Sequence, residues 1–174
     1  PDLFTGKYGL YNGPFAKKLK SFMPVTMDLD GDGQTETVYV TGSYGMDDLV
    51  SMSFSELEVT VGTAGCAEQA DFYSWDSVAM HTEDGRNLIL TETMTDSDYT
   101  NLYVFEVTGS GPSLIGKMDG MGFAATYRED GDYLEEYPVL DPSCFALKEW
   151  SDSGDTEVLF YEIGEDGMPV QLAD

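Results

Sequence analysis

The chain has 174 residues, 41% of them hydrophobic and 13% aromatic, which is enough to bury the core of one domain and too apolar for a disordered segment. Its 33 acidic residues against eight basic ones give a formal charge of -25 and a pI near 4.1. General affinity for nucleic acid or for anionic membrane surfaces is thereby excluded, because both need clustered Lys and Arg. No apolar run approaches the roughly 18 residues of a membrane span, so membrane insertion of this segment is not expected either.

Charge is spread unevenly along the chain. Lys7, Lys17, Lys18 and Lys20 fall in the first twenty positions beside one acid, Asp2, leaving 32 acids against four bases from Ser21 onward. Residues 1–20 read as a basic arm or first strand, and 21–174 as a single acidic domain. Within the arm, AKKLKSF from Ala16 has the composition of one helical turn, which Pro24 would end. The chain opens at Pro1 with neither an initiator methionine nor an apolar leader region, and the expectation is an exported protein whose leader has been removed.

Residues Asp28 to Glu36, DLDGDGQTE, place acids at positions one, three, five and nine of a glycine-containing loop. Ca²⁺ takes six to eight oxygens at roughly 2.3–2.6 Å, and a short loop supplies them when alternate residues point inward. Asp28, Asp30 and Asp32 are read as monodentate ligands, Gln34 as a main-chain carbonyl donor and Glu36 as the closing carboxylate, with Ca²⁺ as the cofactor. An EF-hand would need Glu at position twelve and helices on both sides; position twelve is Tyr39, and the flanks MPVTM and TETVYVT are strand-like. Asp-Gly pairs also make plain hairpin turns, but a turn does not require four carboxylates, and no Lys or Arg lies within the loop to offset their repulsion.

The rest of the chain reads as short strands between turns. ELEVTV at 56–61 alternates Leu57, Val59 and Val61 with polar residues, as a half-buried strand must. RNLILTET after the turn at 83–85, NLYVFEV at 101–107, GFAATY at 122–127 and EVLFYEI at 157–163 are bounded by Gly, Asp or Ser clusters. YVFEVTGSGPSL at 103–114 also lies without gaps on LFYEIGEDGMPV at 159–170, matching Glu106 to Glu162 and Gly111 to Gly167. Both units read as the outer hairpin of a blade, preceded by the turns TDSDYT and SDSGDT. The predicted fold is therefore all-β and antiparallel, a small or incomplete β-propeller-like array with room for about four blades, with a β-sandwich as the alternative.

The D-x-D-x-D-G loop closed by an acid at position nine, between two strands, resembles the calcium-binding repeats called FG-GAP or VCBS, of integrin-like propellers and many secreted bacterial proteins. The resemblance covers residues 25–40, with Glu36 where the family more often has Asp. Together with YVFEV and LFYEIGEDGMPVQL, the loop is also similar to uncharacterised secreted or lipid-anchored proteins of Gram-positive gut bacteria. That likeness implies an extracellular or cell-surface location and no assigned activity. In such proteins further segments follow the GEDGMPV hairpin, so the chain is expected to be a fragment or a short member.

Catalytic signatures are sparse. The one histidine, His81, stands in strand-like SVAMHTEDG, and neither G-x-S-x-G nor H-E-x-x-H occurs. Cys66 and Cys144 lack C-x-x-C spacing and read equally as a disulfide or as two thiols. Trp75 and Trp150 sit beside polar turns, where exposed rings would stack on sugars. The clusters 129–136 and 95–101 lack the one-three-five-nine spacing and read as solvated loops. The sequence reading is a calcium-stabilised extracellular binding or scaffold domain without catalysis, its partner a glycan or cell-surface protein. The alternatives are a carbohydrate-binding module and a secreted glycoside hydrolase using an acid pair.

Overall fold

A computed structural model describes residues 15–19, 22–29, 32–45, 52–124 and 141–173. Thirteen strands are described: β1 (Phe15–Leu19), β2 (Val25–Met27), β3 (Glu36–Ser43), β4 (Phe54–Val61), β5 (Ala64–Phe72), β6 (Ser74–His81), β7 (Asn87–Met94), β8 (Thr100–Thr108), β9 (Gly111–Asp119), β10 (Met121–Phe123), β11 (Phe145–Trp150), β12 (Thr156–Ile163) and β13 (Pro169–Gln171). Among these residues there is no helix, and hence none long and apolar enough to cross a membrane.

The strands form three antiparallel meanders. The first sheet has the order β2-β3-β4-β5, the second β1-β6-β7-β8-β9 and the third β10-β11-β12-β13. One apolar cluster joins the first sheet to one face of the second through Val40, Leu57, Val59, Phe72, Ile89 and Phe105. Another joins the opposite face of the second sheet to the third through Leu88, Leu90, Val104, Phe123, Leu147 and Tyr161. The sheets thus stack face to face in chain order, as propeller blades do, and among the described residues the array stays open. Three layers, not two, separate it from a β-sandwich.

Local sequence accounts for the alternation at the outside and its loss at the centre. In β4, Phe54, Leu57, Val59 and Val61 are buried while Glu56, Glu58 and Thr60 face outward, the period-2 pattern of a one-sided strand. In β7, by contrast, Leu88 through Thr93 are all buried, because the strand lies between two other sheets. The AKKLKSF segment forms no helical turn within Phe15–Leu19; it is strand β1, paired antiparallel with β6 from Phe15↔His81 to Leu19↔Ser77. The sheet supplies hydrogen-bond partners that a single turn of helix cannot match.

One turn recurs. At 82–86, 95–99, 151–155 and 164–168 the first N–H donates to the fifth carbonyl and the fourth N–H donates to the first carbonyl, at 2.9–3.2 Å. The fourth residue has positive φ in each: Gly85 at 87°, Asp98 at 62°, Gly154 at 85° and Gly167 at 84°. The two hairpins matched in sequence, β8–β9 and β12–β13, are the last two strands of their sheets. Their matched glycines press on the preceding sheet: a Cβ on Gly111 would lie 2.5 Å from Ala64 Cβ, and one on Gly167 would lie 2.8 Å from Ile115 Cδ1. Gly154 has open space. Gly154→Ala should therefore lower stability by only the backbone strain, about 1 kcal/mol, whereas Gly111→Ala adds a steric clash and should lower it by about 2–4 kcal/mol. Urea denaturation of the two variants checks this, and equal losses would contradict the close packing of these sheets.

Candidate metal centre

The acid loop joins β2 to β3, which pair through Val25↔Val38, Thr26↔Thr37 and Met27↔Glu36. Strand flanks thus replace the helices of an EF-hand. Asp28 is only 1% exposed. Its Oδ2 accepts the Gly33 N–H at 2.8 Å, while its Oδ1 is buried without a hydrogen-bond partner among the described residues. Glu36 reaches back across the loop, its Oε2 accepting the Leu29 N–H at 2.9 Å. Asp32 is turned onto Gln34, accepting its backbone N–H at 2.7 Å and its side-chain amide at 3.2 Å. Asp30 lies outside the described residues.

Two of the predicted ligands, Asp28 and Glu36, therefore lie at the strand ends and tie the loop through backbone N–H groups. Asp32 and Gln34 are exposed and occupied with each other. Among the described residues no three His, Cys, Asp or Glu side chains are grouped so as to hold a metal ion. The donor chemistry nonetheless fits a hard cation. A buried carboxylate oxygen with no donor is costly unless a positive group satisfies it.

The corresponding hairpin of the second meander carries its own cation. Between β6 and β7, Arg86 Nη1 donates to Glu106 Oε1 at 2.9 Å, Arg86 Nε lies 3.5 Å from Asp84 Oδ2, and Arg86 Nη2 donates to the Glu165 carbonyl of the β12–β13 turn. The Thr82 hydroxyl, with Arg86, holds the Asp84 carboxyl below the usual carboxylate range. Beside these hairpins the sheets leave two clefts. One of about 350 Å³ between the first and second sheets is lined by Leu29, Glu36, Val61, Asn87, Val107 and Gly111. The other, of about 170 Å³ between the second and third, is lined by Thr82, Asp84, Pro142, Ser143 and Glu162.

The aromatic expectation needs correction, and of the two cysteine readings the structure has the thiols. Trp75 is 4% exposed, its Nε1 donates to the Val40 carbonyl at 3.1 Å, and its ring packs edge-on against Phe54 and Phe72. Hydrophobic burial places it in the core, not on a sugar-binding surface. Trp150 is half-buried, with Lys148 Nζ 5.3 Å from its ring centre and Tyr99 tilted against it at 6.4 Å, so its faces are already in use. Cys66 and Cys144 are both free thiols; they lie with the first and third sheets, on opposite sides of the central one. His81 Nδ1 is 2.5 Å from Asn87 Oδ1 across the end of β6 and β7. The acidic cluster at 129–136 lies outside the described residues.

Sequence reasoning missed Glu92. It stands in β7, 7% exposed, on the face toward the third sheet, and its Oε2 accepts the Phe123 N–H of β10. Gly122 passes so close that a Cβ there would overlap the Glu92 and Thr100 side-chain oxygens. Burial pushes its carboxyl up from the ordinary 4.5 to about 7; the Phe123 N–H and the Lys148 ammonium oppose the rise, and cross-strand Asp76 adds to it. The acid in LILTETM, set among residues otherwise apolar or Thr, was the available signal. Glu92 and Asp76 are an acid pair, but Glu92 lines neither cleft.

The sign of the linkage follows from the raised value. A proton binds the folded state more tightly than the unfolded one, so the stability due to neutral Glu92 is full below about pH 4.5 and is lost as pH rises through about 7. Glu92→Gln should match the wild type near pH 4.5 and exceed it by about 3 kcal/mol above pH 8. Urea denaturation at both pH values reads the gap, and a pH-independent difference would contradict this burial.

The chain matches no protein-family model, no curated protein and no solved structure. The resemblance to FG-GAP or VCBS repeats accordingly rests on residues 25–40.

Proposed function

We propose that the chain is a calcium-stabilised, extracellular binding or scaffold domain without catalytic activity. The observation that carries this reading is Asp28 Oδ1, a buried carboxylate oxygen without a donor at the head of an acid-rich loop. The contrast with Arg86 supports it: the second meander brings a guanidinium to its hairpin acids, whereas the first has no Lys or Arg between Asp28 and Glu36. Asp28, Asp30, Asp32 and Glu36 would hold the ion by carboxylate oxygens, with the Gln34 main-chain carbonyl as a further donor. Bound calcium supplies the positive charge that offsets carboxylate repulsion in the loop. Asp28 and Glu36 would fix the β2–β3 connection, and Leu29 and Glu36 would thereby hold one wall of the larger cleft. Weak loops of this type, with dissociation constants of about 10⁻⁴–10⁻³ M, fill where calcium is abundant, outside the cell or at its surface. A glycan or cell-surface protein partner would bind in that cleft.

Calcium bound only to the folded state adds about 2.7 kcal/mol at a hundredfold excess over its dissociation constant. For a chain of this length, chelator should then lower the melting temperature by about 5–10 °C. Asp28→Asn should remove that sensitivity and, in chelator, be at least as stable as the wild type because it no longer buries an uncompensated charge. Melting curves unchanged by chelator would sink the calcium assignment.

A further inference from the structure

Five exposed apolar side chains gather at one end of the first two sheets. Phe22 is 63%, Met23 56%, Tyr44 49%, Met52 73% and Tyr73 41% exposed. Strand pairing brings them together: β2 starts at Val25 opposite Val38 and ends opposite Glu36, β3 runs on to Ser43 opposite Glu56, and Phe54 pairs with Phe72. The residues before β2, those between β3 and β4, and the β5–β6 turn therefore meet at the end away from the acid loop and its cleft. Aromatic contacts join them beneath the surface. The Phe22 ring lies 4.4 Å from Trp75, Trp75 lies 5.1 Å from Phe54, and Phe54 lies 4.4 Å from Tyr44.

Two of these side chains are presented to water at a backbone cost. Phe22 has φ 63° and Met52 φ 59°, the left-handed region that glycine or asparagine enters easily and a bulky residue does not. Stability alone favours glycine at such positions, as at Gly33, Gly62 and Gly85. A strained turn that holds an apolar side chain in solvent helps neither the core nor solubility, and strain of this kind collects at binding sites.

The chemistry of the surface selects its occupant. No Lys or Arg occurs between Ser21 and Gly85, a span that contains all five side chains and the flanking Asp71 and Asp76. In a molecule of net charge -25, such a surface repels acidic partners and draws in basic ones. A sugar rests on aromatic faces, whereas Met23 and Met52 add flexible, polarizable thioethers that adapt to the apolar side chains of a peptide. We propose that this end face docks a basic amphipathic peptide segment of a partner protein. Its apolar side chains would pack on Phe22, Tyr44 and Met52, and its Lys or Arg would face Asp71 and Asp76.

Fluorescence anisotropy with a labelled Leu-Lys amphipathic peptide of about 15 residues tests the proposal. It is read in about 0.15 M salt, with calcium and again with chelator. The peptide should bind with a dissociation constant of about 1–100 μM in both conditions, so a failure of the calcium assignment leaves this result standing. A Ser-Lys peptide of equal charge should bind at least about tenfold more weakly, and a Leu-Glu peptide not at all. Phe22→Asn and Met52→Asn suit the left-handed backbone and should keep the melting temperature; each should weaken binding by about tenfold. Phe160→Ser, on the exposed face of the third sheet, should leave binding unchanged. No binding up to about 1 mM, equal binding of the Leu-Lys and Ser-Lys peptides, or binding untouched by both folded Asn variants overturns the proposal. A neutral oligosaccharide that binds in the peptide's place, with the same sensitivity to both variants, overturns it in favour of sugar.

Discussion

Among the described residues, the centre of the second sheet has no solvent face. β7 and β8 present apolar side chains to both sides, Ile89 and Phe105 toward the first sheet and Leu90 and Val104 toward the third. Each outer sheet then needs only one apolar face, and gets it by plain alternation in strands such as β4. Because stacked sheets lie about 10 Å apart, whatever passes between them must fit. Glycine stands where the β8–β9 hairpin meets Ala64 and where the β12–β13 hairpin meets Ile115. Glu92, a carboxyl enclosed between the second and third sheets, is held by a backbone N–H from the next sheet and favours its neutral form.

The same stacking gives the acid loop its mechanical meaning. Arg86 connects the acids of its own hairpin and the β8 strand to the β12–β13 turn, fastening the second sheet to the third with a covalent part of the chain. At the matching place on the first meander, Asp28 and Glu36 close the loop on the Gly33 and Leu29 N–H groups. One carboxylate oxygen there has no donor among the described residues. An ion would do for the first meander what Arg86 does for the second. It would act beside the larger cleft, so holding the loop and holding the cleft wall are one event.

Much of this was legible in the sequence wherever a residue's environment is set locally. Leu57, Val59 and Val61 announce a one-sided strand, the strand-like flanks of DLDGDGQTE exclude helices, and the match of Gly111 to Gly167 finds two hairpins that occupy the same place in successive meanders. The failures are all set by neighbours outside the segment itself, in a paired strand or in another sheet. Trp75 sits beside polar turns in sequence yet is closed over by Phe54 and Phe72 from the first sheet. Strand β5, AGCAEQADF, carries small and acidic residues in place of β-branched ones and is held as a strand by pairing with β4. β1 looked helical because Ala, Leu and Lys favour helices, and a neighbouring strand overrode that preference. Glu92 and Arg86 also draw on partners in the third sheet, Phe123 and Glu165, far along the chain.

The central claim is that the carboxylates between Asp28 and Glu36 take up a calcium ion that the fold uses. Calorimetric titration of the chelator-treated protein with calcium tests it most directly. One site per chain is expected, with a dissociation constant of about 10⁻⁴–10⁻³ M, and no binding by Asp28→Asn. Heat indistinguishable from dilution, or the same binding isotherm for Asp28→Asn, would contradict it.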